Sequence, residues 1–355
     1  MGNESVLSGF FIPERASEVF QDYMLRDSVA ALNVLSGPRG STAPIQVGPL
    51  PAAQKGQYFT ATRFDKMANI VTRRDLTSVA AATLVAMTTG SEKAPVVNMK
   101  LGPVWLPKGT LWMAGLTHAQ AEANFVKQAA DQFRLAMQSH ILAALKGSTL
   151  AFIAGASGAS FEYDHAYSVW NNSAAVNLSV AALSSGRAEM GDRIDLLTPG
   201  RAGILMRSEV FNDLTSGQLA LTSTGSWAEA VARGGAPATL GLPYALVDNT
   251  HLKTAAVASS STKSKWYTYI LGSGAIEVEI VRVEFQPPQI SNSLEQPGVY
   301  LRGDADITIR VPGMNYKSTA NPTETTLATT GSWEIKANDH REFPVIRIET
   351  NSAAT

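Results

Sequence analysis

Histidine is the side chain best suited to proton transfer near neutral pH, yet His118, His140, His165, His251 and His340 stand far apart, with no HExxH and no close pair. A His-based metal site therefore has no support. His140 falls on the apolar stripe of a helix and reads as a packed core residue. Cysteine is absent, which removes thiolate zinc sites, Cys nucleophiles and disulfides. Gly155-Ala156-Ser157-Gly158 lacks the final spacing of the GxSxG elbow, and Ser260 to Lys263 satisfies SxxK only inside the polar run SSSTKSK. There is no GxxxxGK[ST], and Gly272-Ser273-Gly274 is followed by Glu277 where a dinucleotide loop needs glycine. Glu277 and Glu279 share one face of an alternating segment. Paired carboxylates can do acid–base work, but on an amphipathic strand they more simply mark its solvated or partner-facing side. No catalytic residue, metal ligand or cofactor site is assigned.

With chemistry unsupported, charge and composition become informative. Lys+Arg 29 against Asp+Glu 30 gives a net charge of −1, which disfavours a basic nucleic-acid-binding module. Charged residues make up 17% and hydrophobic ones 45%; about 25% charged is usual, so little charge is left to cover a free surface. That shortage points to surface buried against other copies. No run approaches the roughly 18 apolar residues of a membrane span, and the N-terminus lacks the basic and apolar regions of a secretory signal.

The elements follow from period and punctuation. Pro13 opens a loosely helical segment, after which Pro38, Pro44, Pro49 and Pro51 forbid a regular helix and predict an extended arm without a core of its own. Tyr58, Thr60, Thr62 and Phe64 alternate along one strand, and 96–101 supplies a returning one, with a mobile tip between them; a short helix over 76–87 is the alternative. Thr117 and Gln120 have capping-box spacing, Phe125, Ala129, Phe133, Met137, Ile141 and Leu145 recur at helical intervals, and Gly147 follows. This predicts a helix over 118–146, roughly 40 Å long. Helices near 174–184, 208–214 and 263–271 alternate with buried runs at 202–206 and 243–247, an α/β pattern. Thereafter the period is two: Ile276, Val278 and Ile280, then Ile307, Ile309 and Val311, then Val345 to Ile348, with Pro287-Pro288 and Pro297-Gly298 punctuating the long connection.

Several segments in this order resemble the tailed-bacteriophage major capsid proteins. They are YTYILGSGAIEVE from Tyr267, the ending RVPGMNYKSTANPTETTLATTGSWEIKANDHREFPVIRIETN from Arg310, RRDLTS from Arg73, VVNMKLGPV from Val96, and EMGDRIDLL followed by AGILMRSEVFNDL from Glu189. The departures are Val311-Pro312-Gly313, where a His-Pro-Arg-Gly-like turn is common, and the extra residues 259–265.

The resemblance implies an α+β chain with the Hong Kong-97-like capsid fold. It divides the chain into an N-terminal arm (1–55), an E-loop hairpin with flanking strands (56–105), a peripheral domain with a spine helix (106–149 and 276–339) and an α/β axial domain (150–275 and 340–355). It implies a self-assembling shell of hexamers and pentamers around double-stranded DNA contacted non-specifically, assembled in the host cytoplasm, with scaffolding, portal and decoration proteins as further partners and no membrane. An encapsulin-like compartment is the alternative within the fold, and an α/β hydrolase the alternative outside it. Residues 9–56 and 63–93, having the fewest self-contained contacts, are expected to change most on assembly. Arg63, Lys66, Arg73 and Arg74 gather in the implied E-loop while Glu277, Glu279 and Glu284 line late strands. We expect the loop of one copy to lie across those acids on its neighbour, against the simpler reading that both sets are solvated.

Overall fold

The computed structural model describes residues 34–49, 58–64, 89–107, 118–154, 166–168, 176–189, 202–221, 242–254, 264–291, 298–312, 314–316, 333–335 and 344–351. In chain order the elements are β1 (Ser36–Pro38), β2 (Ile45–Pro49), β3 (Tyr58–Phe64), β4 (Thr89–Pro107) and the helix α1 (His118–Ala154). Then come β5 (Ala166–Ser168), α2 (Val180–Glu189), β6 (Ala202–Met206), α3 (Ser208–Leu221), β7 (Tyr244–Leu246) and a 3-10 turn, Thr250–Leu252. The chain continues through β8 (Trp266–Gly272), β9 (Ile276–Ser291), β10 (Gly298–Arg310), β11 (Met314–Tyr316), β12 (Trp333–Ile335) and β13 (Val345–Thr350).

One sheet runs β1-β2-β9-β10-β4-β3 and another β5-β13-β8-β6-β7, while β11 and β12 form a small ribbon. The hairpin expected from Tyr58 forms, but its partner is the start of β4: Phe64 pairs with Thr89 and Tyr58 with Pro95. The stretch expected to return, 96–101, instead pairs with β10, so β4 serves two neighbours along its length. The expected tip and its helical alternative fall within 65–88, outside the described residues.

The punctuating prolines do not end the strands. Pro287 and Pro288 of β9 together face a single residue of β10, because Arg302 pairs with Gln286 and Tyr300 with Gln289. On the other side Gly102 and Pro103 of β4 do the same, since Leu301 pairs with Val104 and Gly303 with Leu101. A residue without an N–H is tolerated where a bulge already interrupts the ladder, so the prolines sit at bulges within long strands.

The segment 263–271, expected as a helix, is the strand β8, every residue of it buried. Buried on both faces, it shows no polar–apolar alternation, and only its aromatic and β-branched content marks it as a strand. One face, carrying Tyr267, Tyr269 and Leu271, joins the main core with Phe133, Met137 and Ile141 of α1 and Ile276, Val278, Ile307 and Ile309 of the six-stranded sheet. The other carries Ile270, which packs with Ile204, Ile346 and Ile348 against Leu183 of α2 and Val210 and Leu214 of α3. α1 runs past Gly147 to Ala154, so that glycine does not stop it. The arm also departs from expectation: Leu35 is 1% exposed and Ile45 0%, both inside the main core. A Cβ on Gly203 of β6 would collide with the Leu35 side chain, so the strap is seated in a notch left by that glycine. For 34–49, then, the expectation of few self-contained contacts fails.

Candidate functional site

The polar face of β9 is built by alternation and one correction to it. Ile276, Val278 and Ile280 turn inward, which turns Glu277 and Glu279 outward. Strict alternation would then send Glu284 inward. Instead Arg282 pairs with Asp306 and Ile280 with Ile307, leaving Val281 as an extra residue that resets the phase. Val283 becomes buried, and Arg282 and Glu284 return to the polar face.

Arginines of the same chain meet this face. Arg310, the register partner of Glu277, bonds its carboxylate through Nε at 3.1 Å and through Nη2, and Nη1 lies 3.5 Å from Glu92, which is 1% exposed. Arg39, from the turn between β1 and β2, places Nη1 2.8 Å from Glu279. Arg282 bridges Glu284 at 3.0 Å and Asp306 at 3.1 Å, with Glu284 still 58% exposed.

The three acids singled out in the sequence thus share a face, but Glu277 and Glu279 are already engaged within the chain, and only Glu284 presents a largely open carboxylate. Of the four basic residues expected to meet them, Arg63 lies in β3 with its backbone paired to Gly90, and Lys66, Arg73 and Arg74 lie outside the described residues. Sequence reasoning missed Arg39, Arg310 and Glu92. The signal for Arg310 was its place at the end of the alternating run DADITIR, on the same face as Asp304 and Asp306; nothing in the sequence joins Arg39 to Glu279.

A second charged group is buried in the five-stranded sheet. Arg347, fully buried, has Nη2 2.8 Å from Glu349, which also accepts from Lys265 Nζ at 2.7 Å. Its guanidinium lies 4.9 Å from the centroid of the Tyr267 ring, and Lys146 of α1 lies 5.8 Å from the same ring. Burial is the main influence pushing the Tyr267 hydroxyl up to about 12, with Arg347 opposing and Glu349 adding to it. Burial, then the Arg347 charge, holds Lys146 below the ordinary lysine range. Val345, Ile346 and Ile348 made β13 legible as a strand with a solvated side, and the structure covers that side too.

Among the described residues no group of His, Asp and Glu is placed to hold a metal ion, and no helix is long and apolar enough to cross a membrane. Ser157 and Ser260 lie outside the described residues. The arrangement couples strands through fixed charges and leaves an ionic face, a pattern suited to holding surfaces together.

The fold has counterparts in solved structures. The capsid of Ralstonia phage GP4 matches at a TM-score of 0.60 and 12% identity, over 92% of this chain and 92% of that one. The capsid of cyanophage Pam1 matches at 0.57 and 11%, over 90% and 92%, and that of Helicobacter pylori bacteriophage KHP30 at 0.52 and 12%, over 89% and 90%. At such identities the likeness is one of fold. No curated protein sequence matches. The family model "Gp13-like: Major capsid protein 13-like" matches residues 38–344, well over half of the sequence. An α+β chain with a low charge fraction, two coupled sheets and no assembled catalytic group is accounted for by that match: it belongs to the Gp13-like family of major capsid proteins, the subunits from which a viral shell is formed.

Proposed function

We propose that this chain builds a closed icosahedral shell of hexamers and pentamers around packaged double-stranded DNA, in the Hong Kong-97-like manner. The observation carrying this reading is the family match over 38–344, joined to a hairpin, β3 with β4, that extends from the six-stranded sheet. In this reading β3 and β4 are the E-loop, α1 is the spine helix, the six-stranded sheet with α1 forms the peripheral domain, and the five-stranded sheet with α2 and α3 forms the axial domain. Residues 1–55 are the arm, 56–105 the E-loop and its strands, 106–149 with 276–339 the peripheral domain, and 150–275 with 340–355 the axial domain. Near-neutral charge supports a wall that holds DNA without gripping it, because binding to phosphate is strongly charge-driven. Assembly takes place in the host cytoplasm, with scaffolding, portal and decoration proteins as further partners.

Between copies, Arg63, Lys66, Arg73 and Arg74 of one E-loop meet the late-strand acids of a neighbour. Glu284 is the main receiver, since Glu277 and Glu279 have cations of their own. A modest pairwise attraction recurs at every copy of such a contact in a symmetric shell.

Electron microscopy of the purified chain tests the shell, and the nucleic acid content of the particles separates a genome container from a protein-filled compartment. A monomer that persists under every salt, crowding and scaffold condition would count heavily against assembly. Reversing Arg73 and Arg74 to Glu should block or salt-sensitise assembly with the circular dichroism unchanged, and Glu284→Lys should partly restore it. Normal assembly of the double reversal across a salt series would remove the contact and leave the shell.

A further inference from the structure

The turn joining β1 to β2 is shaped around one absent side chain. Gly48 is the register partner of Glu279 across the β2–β9 pair, and a Cβ at position 48 would stand 3.0 Å from the Cβ of Arg39. The arginine stem therefore lies across the Gly48 backbone, and its guanidinium reaches Glu279 at 2.8 Å, with the arginine side chain 46% exposed and the glutamate 4%. Both Glu279 oxygens are closed to solvent.

The same turn holds other things in place. Gln46 closes it, its Oε1 accepting from the Gly40 N–H at 3.1 Å and its Nε2 donating to the Ser41 carbonyl at 2.6 Å. On its far side the Gly274 N–H donates to the Ala43 carbonyl at 3.0 Å and the Ile276 N–H to the Pro44 carbonyl at 3.1 Å. Gly274, at φ +64, is the tight point of the connection from β8 to β9. Since β8 belongs to one sheet and β9 to the other, residues 38–44 clamp the link between the two sheets.

We propose that Arg39 and Glu279 form a proton-operated latch on this clamp. With Glu279 ionised, Arg39 holds the turn down on β9. With Glu279 neutral, the turn comes away from the β8–β9 connection while Leu35 and Ile45 keep the flanking strands in the core.

The surroundings of the carboxylate support such a step. On its own strand stands Glu277, held by Arg310 of β10, which also reaches Glu92 of β4. β2 brings Gly48 and Gln46, without charge, and β10 brings Thr308 as the direct register partner. Burial, the largest influence, pushes the Glu279 carboxyl above its ordinary value; Arg39 opposes it, Glu277 adds to it, and Arg310 opposes it. Because the buried site favours the neutral form, protonation frees Arg39 without putting a charge into the sheet. The latch is independent of whether residues 65–88 engage a neighbour.

Hydrogen–deuterium exchange of the full-length chain at about pH 7 and about pH 5, corrected for intrinsic rates, tests the latch. Peptides covering 38–46 and 272–276 should lose about tenfold or more of their protection at the lower pH, while peptides in the buried part of α1 keep theirs. Glu279→Gln should exchange rapidly in these peptides at both pH values. Arg39→Gln, at a surface position where folding is not at stake, should do the same and lose the pH dependence. Equal protection at both pH values in the parent chain would overturn the latch, and so would an unchanged pH dependence in Arg39→Gln.

Discussion

The five-stranded sheet encloses Arg347 completely, between α1 on one side and a layer holding α2 and α3 on the other, whereas the six-stranded sheet keeps its charges on one face and lays a half-exposed arginine over them. In the first region a charge is tolerated because Glu349, Lys265 and the Tyr267 ring surround it, and removing any partner leaves an uncompensated ion in a dry place. In the second, water reaches Arg39, Arg282 and Glu284, so each pair contributes little and can rearrange. The difference separates a region fixed by packing from one that electrostatics can adjust, and a subunit that must meet neighbours has use for both.

The largest expected effect lies in the packed region. Arg347→Met, which leaves Glu349 buried, should cost about 3–5 kcal/mol in urea unfolding. A loss below about 1 kcal/mol would show that the buried ion has no structural role and would erase the contrast. Next comes the strap, whose two ends belong to different regions. Leu35→Ala, emptying the notch over Gly203, should cost about 2–4 kcal/mol, while Arg39→Gln should stay within about 1 kcal/mol. Near-equal losses would mean that the strap is not divided into an apolar anchor and an ionic turn.

The pH dependence sharpens the comparison further. The folded-state value of Glu279 is raised, so its contribution to stability is complete below the unfolded-state value and is lost as pH rises through the raised one. Glu279→Gln should therefore gain on the parent chain between acid and neutral pH, measured by urea unfolding at several pH values; parallel curves would contradict this. Tyr267, also raised, contributes stability that is complete below the ordinary phenol value and lost only as pH climbs toward about 12. A phenolate absorbance titration should find one tyrosine titrating late, and Tyr267→Phe should remove it. The smallest effect belongs to the open pair: Arg282→Ala should change stability by no more than about 0.5 kcal/mol.

Local pattern made some elements legible and left others hidden. The stripe of Phe133, Met137 and Ile141 specifies α1, because helical spacing alone puts those side chains on one face. Alternation specifies the inner edge of β9 as far as Ile280. It fails for β8, whose residues are buried on both sides and therefore carry no period. It fails again at Val281, where one unpaired residue moves Glu284 onto the face of Glu277 and Glu279. The prolines of β9 and β4 read as breaks because their harmlessness depends on bulges in partner strands distant in sequence.

By itself, then, the sequence determined the long helix, the late alternating strands, the absence of thiol chemistry and the low charge density, all properties of residue type or short-range spacing. The tertiary structure alone decided which cation meets which acid. Arg39 reaches Glu279 because β2 adds in parallel to β9 and brings Gly48 opposite that glutamate, and Arg347 is buried because α1 covers the side of β13 that its pattern left for solvent. Contacts of this kind depend on sheet order and register, which arise from strands far apart in the chain and leave no mark within either one.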